Sequence, residues 1–312
     1  MSDPGGVPNA AWKDLMVMAQ TAAGDTHGEP KQMSAEDRKF LENAMSDLVK
    51  KTDPVRQMQK LIGELKALEE PTGDDLDSLN NTVDALENIV CQVDAAVDFC
   101  KLGGLAEIMR LMDCKCDEVR VEVLRLIPTL AQHNPRVQDL MLQHEMIAAL
   151  MSMLVSTEEC SAVRVKALSG ISSVVRAHEQ AYIRFRQLNG FVVLMDAFKL
   201  AHHCGDEKVA NKTAVVFANL AHDLGYQGAL DHGLPSCLIR MYGDLAPGSD
   251  AASYLREYID QNISLKNIDA ENRTLIEKAL KRQLEYKMEH NQDDQDSIRN
   301  IEEMISRLSA GI

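Results

Sequence analysis

Hydrophobic residues recur every three to four positions along most of this chain, a spacing that predicts α-helices throughout. Four of the predicted helices can be aligned in one register, over residues 79–91, 120–132, 164–176 and 210–222. Equivalent positions lie 41, 44 and 46 residues apart, at Thr82, Val123, Ala167 and Thr213. A period of about 42 residues is typical of armadillo and HEAT repeats, which stack into a solenoid with a long concave face.

A second column of residues supports the register. Each repeated helix is followed by a turn and a new apolar segment, and the aligned turn positions are Gly104, Met146, Gly190 and Gly233. Glycine suits a helix–helix turn because it adopts positive φ without a Cβ clash. Met146 interrupts the column, so we expect that turn to differ from the others.

The order of segments predicts an all-α, armadillo-like α-solenoid with a concave binding face and helical caps at both ends. Residues 1–30 are expected to be a mobile N-terminal segment, and residues 31–75 to form the N-terminal capping helices. Residues 76–265 are expected to be the repeats, and residues 266–312 to form two charged capping helices. Within this plan Asp53-Pro54 starts a helix, since proline is favoured at the first helical position. Pro128 should distort the helix in which it lies.

A stripe of polar positions runs along the repeated helices. If the Thr82 position is called zero, positions −1, +2, +6 and +9 fall within one sector of roughly 80°, at about 100° per residue. The sixteen residues, which we call the groove stripe, are Asn81, Asp84, Asn88, Cys91, Glu122, Arg125, Thr129, Gln132, Lys166, Ser169, Ser173, Arg176, Lys212, Val215, Asn219 and His222. All but Cys91 and Val215 are polar.

A helix that is apolar on most sides and polar along one stripe belongs between neighbouring helices. In an armadillo array this is the third helix of each repeat, and its stripe lines the concave surface. Taken singly, these side chains are explained by exposure to solvent. Taken as a continuous ladder of mixed charge, they predict a surface that binds a protein through hydrogen bonds and charge pairs.

Charge and cysteine content narrow the alternatives. The net charge is −15, from 48 acidic and 33 basic residues, so a nucleic acid would be repelled at long range. The cysteines number seven, an odd count, and most lie in helical patterns, which favours a reduced intracellular compartment over a disulfide framework. No signal sequence and no apolar run of about 18 residues is seen. We therefore expect a cytoplasmic protein, with the nucleus as a further compartment, and a monomer.

Several segments resemble a known family. Residues 99–104 (FCKLGG) after 94–98 (DAAVD), residues 163–176 (VRVKALSGISSVVR) and residues 188–194 (LNGFVVL) are similar to the Hsp70-binding-protein/Fes-one family of nucleotide exchange factors. Residues 14–24 and 33–45 are also similar to that family. The resemblance implies an armadillo-like solenoid whose concave face embraces one lobe of the ATPase domain of a seventy-kilodalton heat-shock (DnaK-type) chaperone. That embrace would open the nucleotide cleft so that ADP leaves, with no catalytic residue and no cofactor.

The resemblance also suggests individual roles. The family's Asp-Asn-Ala falls on Asp94, Ala95 and Ala96, with alanine in place of the central asparagine. The expected partner-binding residues are Asn88, Ala96, Arg125, Thr129, Lys166, Ser169, Ser173, Arg176, Lys212 and Asn219. In this family the N-terminal segment is thought to mimic a substrate and release it. Here that release element would present Trp12, Leu15 and Met16; the alternative is a helix docked on residues 36–48.

Two other functions remain open. One is an importin-type peptide-binding adaptor, a class that uses tryptophan and asparagine ladders on its third helices. Against it, the +6 column has asparagine only at Asn88 and Asn219, and the tryptophan column holds Asp84, Arg125, Ser169 and Val215. The other is a ubiquitin-linked scaffold, for which no additional module is seen. Cys114 and Cys116 lack a second pair at zinc spacing, so no metal is expected. Because the sequence has no P-loop, GxSxG or HExxH motif, we expect no enzymatic activity.

Overall fold

The computed structural model describes residues 36, 39–40, 42–45, 53–224, 233–265, 268–291 and 293–310. The release element Trp12, Leu15 and Met16 lies outside the described residues, as does the start of the N-terminal cap. From residue 53 onward, the described part contains one 3₁₀ helix (Gly73–Asp75) and sixteen α-helices. These are α1 (Pro54–Ala67), α2 (Leu76–Val90), α3 (Val93–Lys101), α4 (Gly104–Met112), α5 (Asp117–Leu124), α6 (Leu126–Ala131), α7 (Pro135–Gln143), α8 (Met146–Val155), α9 (Ser161–Val175), α10 (Glu179–Gln187), α11 (Gly190–His203), α12 (Glu207–Asp223), α13 (Leu234–Asp244), α14 (Asp250–Asn262), α15 (Ala270–His290) and α16 (Gln295–Ala310).

The helices stack in repeating groups of three. The repeated helices of the sequence are the third members, and they pack on one another in series: α2 on α5 and α6, these on α9, α9 on α12, and α12 on α14. One continuous hydrophobic core runs from Met58 to Leu308. Because each group contacts its neighbours in line, the molecule is a solenoid. The two charged helices predicted at the C-terminus are α15 and α16, which pack on each other, and α15 also packs on α13.

The helix that contains Pro128 is interrupted, as predicted. The segment predicted as one helix divides into α5 and α6 at Arg125, three residues before the proline. The proline ring has no N–H and crowds the carbonyl four residues earlier, here that of Leu124. At the start of α1, Asp53 caps the helix by accepting a hydrogen bond from Val55 N at 3.0 Å, and Pro54 is the first helical residue.

The explanation for the glycine column is wrong at two positions. The left-handed residue of each turn is the one just before the second helix: Gly103 at φ 91°, Glu145 at φ 54° and Asn189 at φ 56°. Gly104 and Gly190 are the first helical residues instead, and a Cβ at either would lie 2.3 or 2.2 Å from the ring of Phe99 or Phe185. Both glycines are therefore required by an aromatic ring that packs against the backbone. Only Gly233, at φ 65°, is itself the left-handed residue.

The expectation of a different turn at Met146 is also wrong. Glu145 takes the same left-handed conformation as Asn189, so the backbone turns alike. The position five residues before Met146 carries Met141, where the glycine-containing turns have Phe99 and Phe185. Both methionines are fully buried. A flexible thioether can give way to a neighbouring side chain where a phenyl ring cannot, which explains the paired replacement.

Within a repeat, a side chain on the first helix caps the end of the third helix. Gln138 on α7 is buried, and its Nε2 donates to the carbonyls of Ser173, Val174 and Arg176 at 3.0, 3.1 and 3.0 Å. The equivalent residue of the next repeat, Tyr182 on α10, donates its hydroxyl to Leu220 O at 2.7 Å. These carbonyls lie at the C-terminal ends of α9 and α12, where the last carbonyls of a helix lack intrahelical donors. The caps therefore fix each third helix relative to the first helix of its own repeat.

The seven cysteines, all within the described part of the chain, are free thiols. Cys91 and Cys204 are exposed, whereas burial raises the pKa of Cys100 to about 12.

Candidate partner-binding groove

All sixteen groove-stripe positions remain at least partly open to solvent, while the zero positions Thr82, Val123, Ala167 and Thr213 are buried. The stripe was predicted from an ideal helix, yet α6 and α9 end at Ala131 and Val175. Gln132 and Arg176 therefore follow their helices in extended conformation.

Five groove-stripe residues meet around one cavity of about 950 Å³. They are Gln132, Ser169, Ser173, Arg176 and Lys212. The cavity lies between the ends of α6 and α9, the start of α10 and the face of α12. The structure thus brings together residues that are separated by up to 80 positions in the sequence.

Arg125 is held by an acidic cluster. Its guanidinium contacts Glu122 at 2.7 Å and, across the repeat boundary, Glu87 at 3.0 Å and Asp84. Partial burial lowers the pKa of Arg125, but the bonds to Glu87 and Asp84 and the charge of Glu122 outweigh it, so the pKa is raised overall. Thr129 joins the cluster through Glu87 at 3.4 Å. We call Arg125 with Asp84, Glu87 and Glu122 the Arg125 network.

The cations farther along the stripe are less well paired. Arg176 faces Asp223 at 3.8 Å, and its side chain is about half exposed. Lys166 and Lys212 have no hydrogen bond or ion pair with any residue that the structure describes. The hydroxyls of Ser169 and Ser173 donate back to their own helix, to Val165 O and Gly170 O. Their oxygens therefore keep a free capacity to accept hydrogen bonds.

A second cavity, of about 830 Å³, continues the groove towards the C-terminus. Lys212 and Val215 line it together with Lys208, the loop before α14 and Tyr286 of α15. Lys212 borders both cavities, so it lies at the point where they adjoin.

The sequence analysis missed one residue of the groove. Tyr254 on α14 is exposed and donates its hydroxyl to Oδ1 of Asn219, a groove-stripe residue, at 2.8 Å. The stripe therefore continues onto α14 with an aromatic side chain. Continuing the register by 42 residues beyond Thr213 would have placed Tyr254 at position −1, the column of Lys166 and Lys212.

Two of the remaining predicted residues differ in accessibility. Asn88 is exposed at the end of α2. Ala96 lies inside α3 with only 1% of its surface exposed. Contacts of these residues with a partner stay predictions.

In the described part of the chain, no group of three or more His, Cys, Asp or Glu side chains is placed to hold a metal ion. None of the helices described is both long enough and apolar enough to cross a membrane.

The stretch with this geometry matches a known protein family. Residues 95–222, which run from α3 through nearly all of α12, match the family model described as the SIL1/FES1/HPBP1 C-terminal domain. The resemblance inferred from the sequence is thereby confirmed.

Curated relatives extend the similarity beyond this domain. Hsp70-binding protein 1 of Rattus norvegicus is 30% identical over 215 residues, which cover 66% of this chain and 59% of the relative. Hsp70-binding protein 1 of Homo sapiens is 29% identical over 215 residues, with 66% and 58% covered. The match thus spans less than two thirds of the length of these relatives.

Solved structures confirm the fold. An engineered protein of the Northeast Structural Genomics Consortium aligns with a TM-score of 0.54 at 18% identity, over 81% of this chain and 97% of that chain. A designed armadillo repeat protein aligns with a TM-score of 0.53 at 16% identity, over 80% and 99%. The segment that matches the family model is therefore part of an all-α armadillo-like solenoid.

Proposed function

We propose that this protein is a nucleotide exchange factor, a co-chaperone that clamps the ATPase domain of a seventy-kilodalton heat-shock chaperone in its groove and promotes ADP release. The proposal rests on one observation: the family match and the groove stripe lie in the same part of the chain. Residues 95–222 match the family domain, and three of the four third helices that present the groove stripe lie in that range. The name of the curated relatives, Hsp70-binding protein 1, supplies the partner.

The groove suits this role because exchange needs binding and no bond-making chemistry. A factor of this kind acts by binding the open, nucleotide-poor state of the ATPase domain more tightly than the closed state. It shifts the equilibrium only by that difference in affinity. By linkage, ADP and the factor weaken each other's binding by the same ratio. Hydroxyls, amides and paired charges along a solenoid face can supply such contacts across a broad protein surface.

The test is the release of fluorescent ADP from the purified ATPase domain, with and without this protein at micromolar concentration. We expect faster release with the protein present. Ser173→Arg, which fills the first cavity with a charged side chain, should abolish the acceleration. Ser152→Arg is the matched control, since Ser152 is exposed on α8 outside the stripe. Unchanged release with the wild-type protein would contradict the proposal.

A second element of the proposal concerns residues 1–30. We propose that this segment, through Trp12, Leu15 and Met16, helps to free the client peptide from the chaperone. Deleting residues 1–30 should leave ADP release unchanged and slow the release of a labelled client peptide. If client release is equally fast without the segment, this element is wrong while the exchange function stands.

A further inference from the structure

The cations of the groove fall into two classes. The arginines have acidic partners within the protein: Arg125 contacts three carboxylates, and Arg176, in the first cavity, faces Asp223 at 3.8 Å. The lysines on α9 and α12 have no such partner. Lys166, Lys208 and Lys212 make no hydrogen bond or ion pair with any described residue, and we call them the lysine cluster.

The members of the lysine cluster lie close together. Lys208 and Lys212 are one turn apart on α12, so they share a face of that helix. Both line the second cavity together with Val165, the neighbour of Lys166 in α9. Lys212 also lines the first cavity with Ser169, one turn after Lys166. Since α9 and α12 pack directly on each other, Lys208 and Lys212 face the second cavity beside Val165, and Lys166 follows Val165 on α9.

The acidic residues nearest to the lysine cluster are engaged elsewhere or lie at helix starts. Asp206 caps α12 through Val209 N at 3.2 Å and accepts from the Ser161 hydroxyl at 2.9 Å. Asp223 faces Arg176. Glu207 and Asp250 also line the second cavity, each in the first turn of its helix, where the helix dipole stabilises a negative charge.

The charge and partial burial of these lysines indicate what kind of surface could bind them. Lys166 and Lys212 are only partly exposed, and neither has a counter-ion among the residues that the structure describes. The chain as a whole carries a net charge of −15 and would repel an anionic surface. A local group of three unpaired cations in a groove is where such a protein could attract one.

We propose that the lysine cluster is a docking site for a carboxylate-rich segment of the bound protein. The inference rests on the proposed function for where that segment comes from: an acidic surface of the chaperone's ATPase domain. The chemistry of recognition does not depend on the proposed function, because lysine ammonium groups beside serine hydroxyls can bind aspartate and glutamate side chains. The cluster then sets which face of the partner enters this section of the groove.

The first experiment uses a fluorescein-labelled peptide of six glutamates as the probe, with binding followed by anisotropy. We expect the wild-type protein to bind it, more weakly as salt is raised. The double variant Lys166→Glu/Lys212→Glu should weaken binding by about tenfold or more, because two attractions become repulsions. Lys166→Gln/Lys212→Gln, which only removes charge, should give a smaller loss.

The matched control is Lys101→Glu/Lys199→Glu. It makes the same change in net charge at exposed residues of α3 and α11, outside the groove stripe. We expect less than a twofold effect. Failure of the peptide to bind the wild-type protein, or an equal loss in the control, would overturn the inference.

The second experiment measures association with the purified ATPase domain for the same variants. Slower association of Lys166→Glu/Lys212→Glu, but not of the control, supports the docking site. If the two variants associate with the ATPase domain at equal rates, the acidic-segment inference is wrong, and the proposed exchange function is unaffected. If the peptide binds the cluster and the ATPase domain does not bind at all, the proposed function fails and the acidic-peptide site remains.

Discussion

The turn between α10 and α11 and the groove face of α12 belong to one repeat, but they are built under opposite constraints. At the turn, Phe185 is fully buried and contacts Phe191 edge-on, with 5.3 Å between the ring centroids. Only a glycine fits beneath the Phe185 ring at position 190. On the groove face, Lys212 borders two cavities and has no ion pair with any residue that the structure describes. The difference teaches that one part of the repeat is specified by packing, whereas the other remains available for binding.

The sharpest way to test this comparison is Gly190→Ala. A Cβ would lie 2.2 Å from Phe185, whose ring is held by Phe191, so we expect a loss of roughly 2–3 kcal/mol in the free energy of unfolding. Denaturant unfolding measures it. Gly63→Ala is the control: nothing lies within 4 Å of that position in α1, and it should gain about 0.5–1 kcal/mol. Equal effects of the two substitutions would contradict the packing argument.

Gln138→Leu tests the caps that join the first and third helices of a repeat. It leaves three carbonyls at the end of α9 without their donor, so we expect a loss of about 2 kcal/mol. Tyr182→Phe, the equivalent change one repeat later, removes a single bond and should cost about 1 kcal/mol. If Tyr182→Phe lost more stability than Gln138→Leu, the number of capping hydrogen bonds would not explain the size of the two losses.

Gln138→Glu adds a pH dependence to the same test. A buried carboxylate facing three carbonyls has its pKa raised in the folded protein, because burial and the carbonyl dipoles disfavour the charged form. The variant should therefore be most stable below the ordinary glutamate pKa of about 4.3 and lose stability as pH rises above it. Chemical unfolding at several pH values checks this, and a stability that instead rises over that range relative to wild type would contradict it.

Arg125→Ala should have the smallest effect on stability. The Arg125 network is partly exposed, and such pairs contribute about 1 kcal/mol or less, decreasing as salt is added. The same variant should impair ADP release more than it impairs folding if Arg125 also contacts the partner. A loss of several kcal/mol in the free energy of unfolding that does not change with salt would contradict this expectation. It would show that Arg125 stabilises the fold as a buried group does.

Much of this protein follows from local patterns in the sequence. Periodic hydrophobic residues define the third helices, Asp53-Pro54 marks the start of α1, and Pro128 divides its helix. Each of these depends on interactions within a few residues of the chain. The resemblance to the exchange-factor family was also readable from short motifs, and the family match at residues 95–222 confirms it.

The sequence alone determined that the chain is a helical repeat protein with a polar stripe on its third helices. Only the tertiary structure decided why Gly104 and Gly190 are glycines, that the Tyr254 hydroxyl bonds to Asn219, and which groove cations have acidic partners. Those outcomes depend on side chains in different repeats or helices: a ring placed over a backbone, a hydroxyl reaching the third helix of the preceding repeat, carboxylates gathered around one arginine. The helical period fixes the face on which a residue lies, and the stacking of repeats fixes what that face meets.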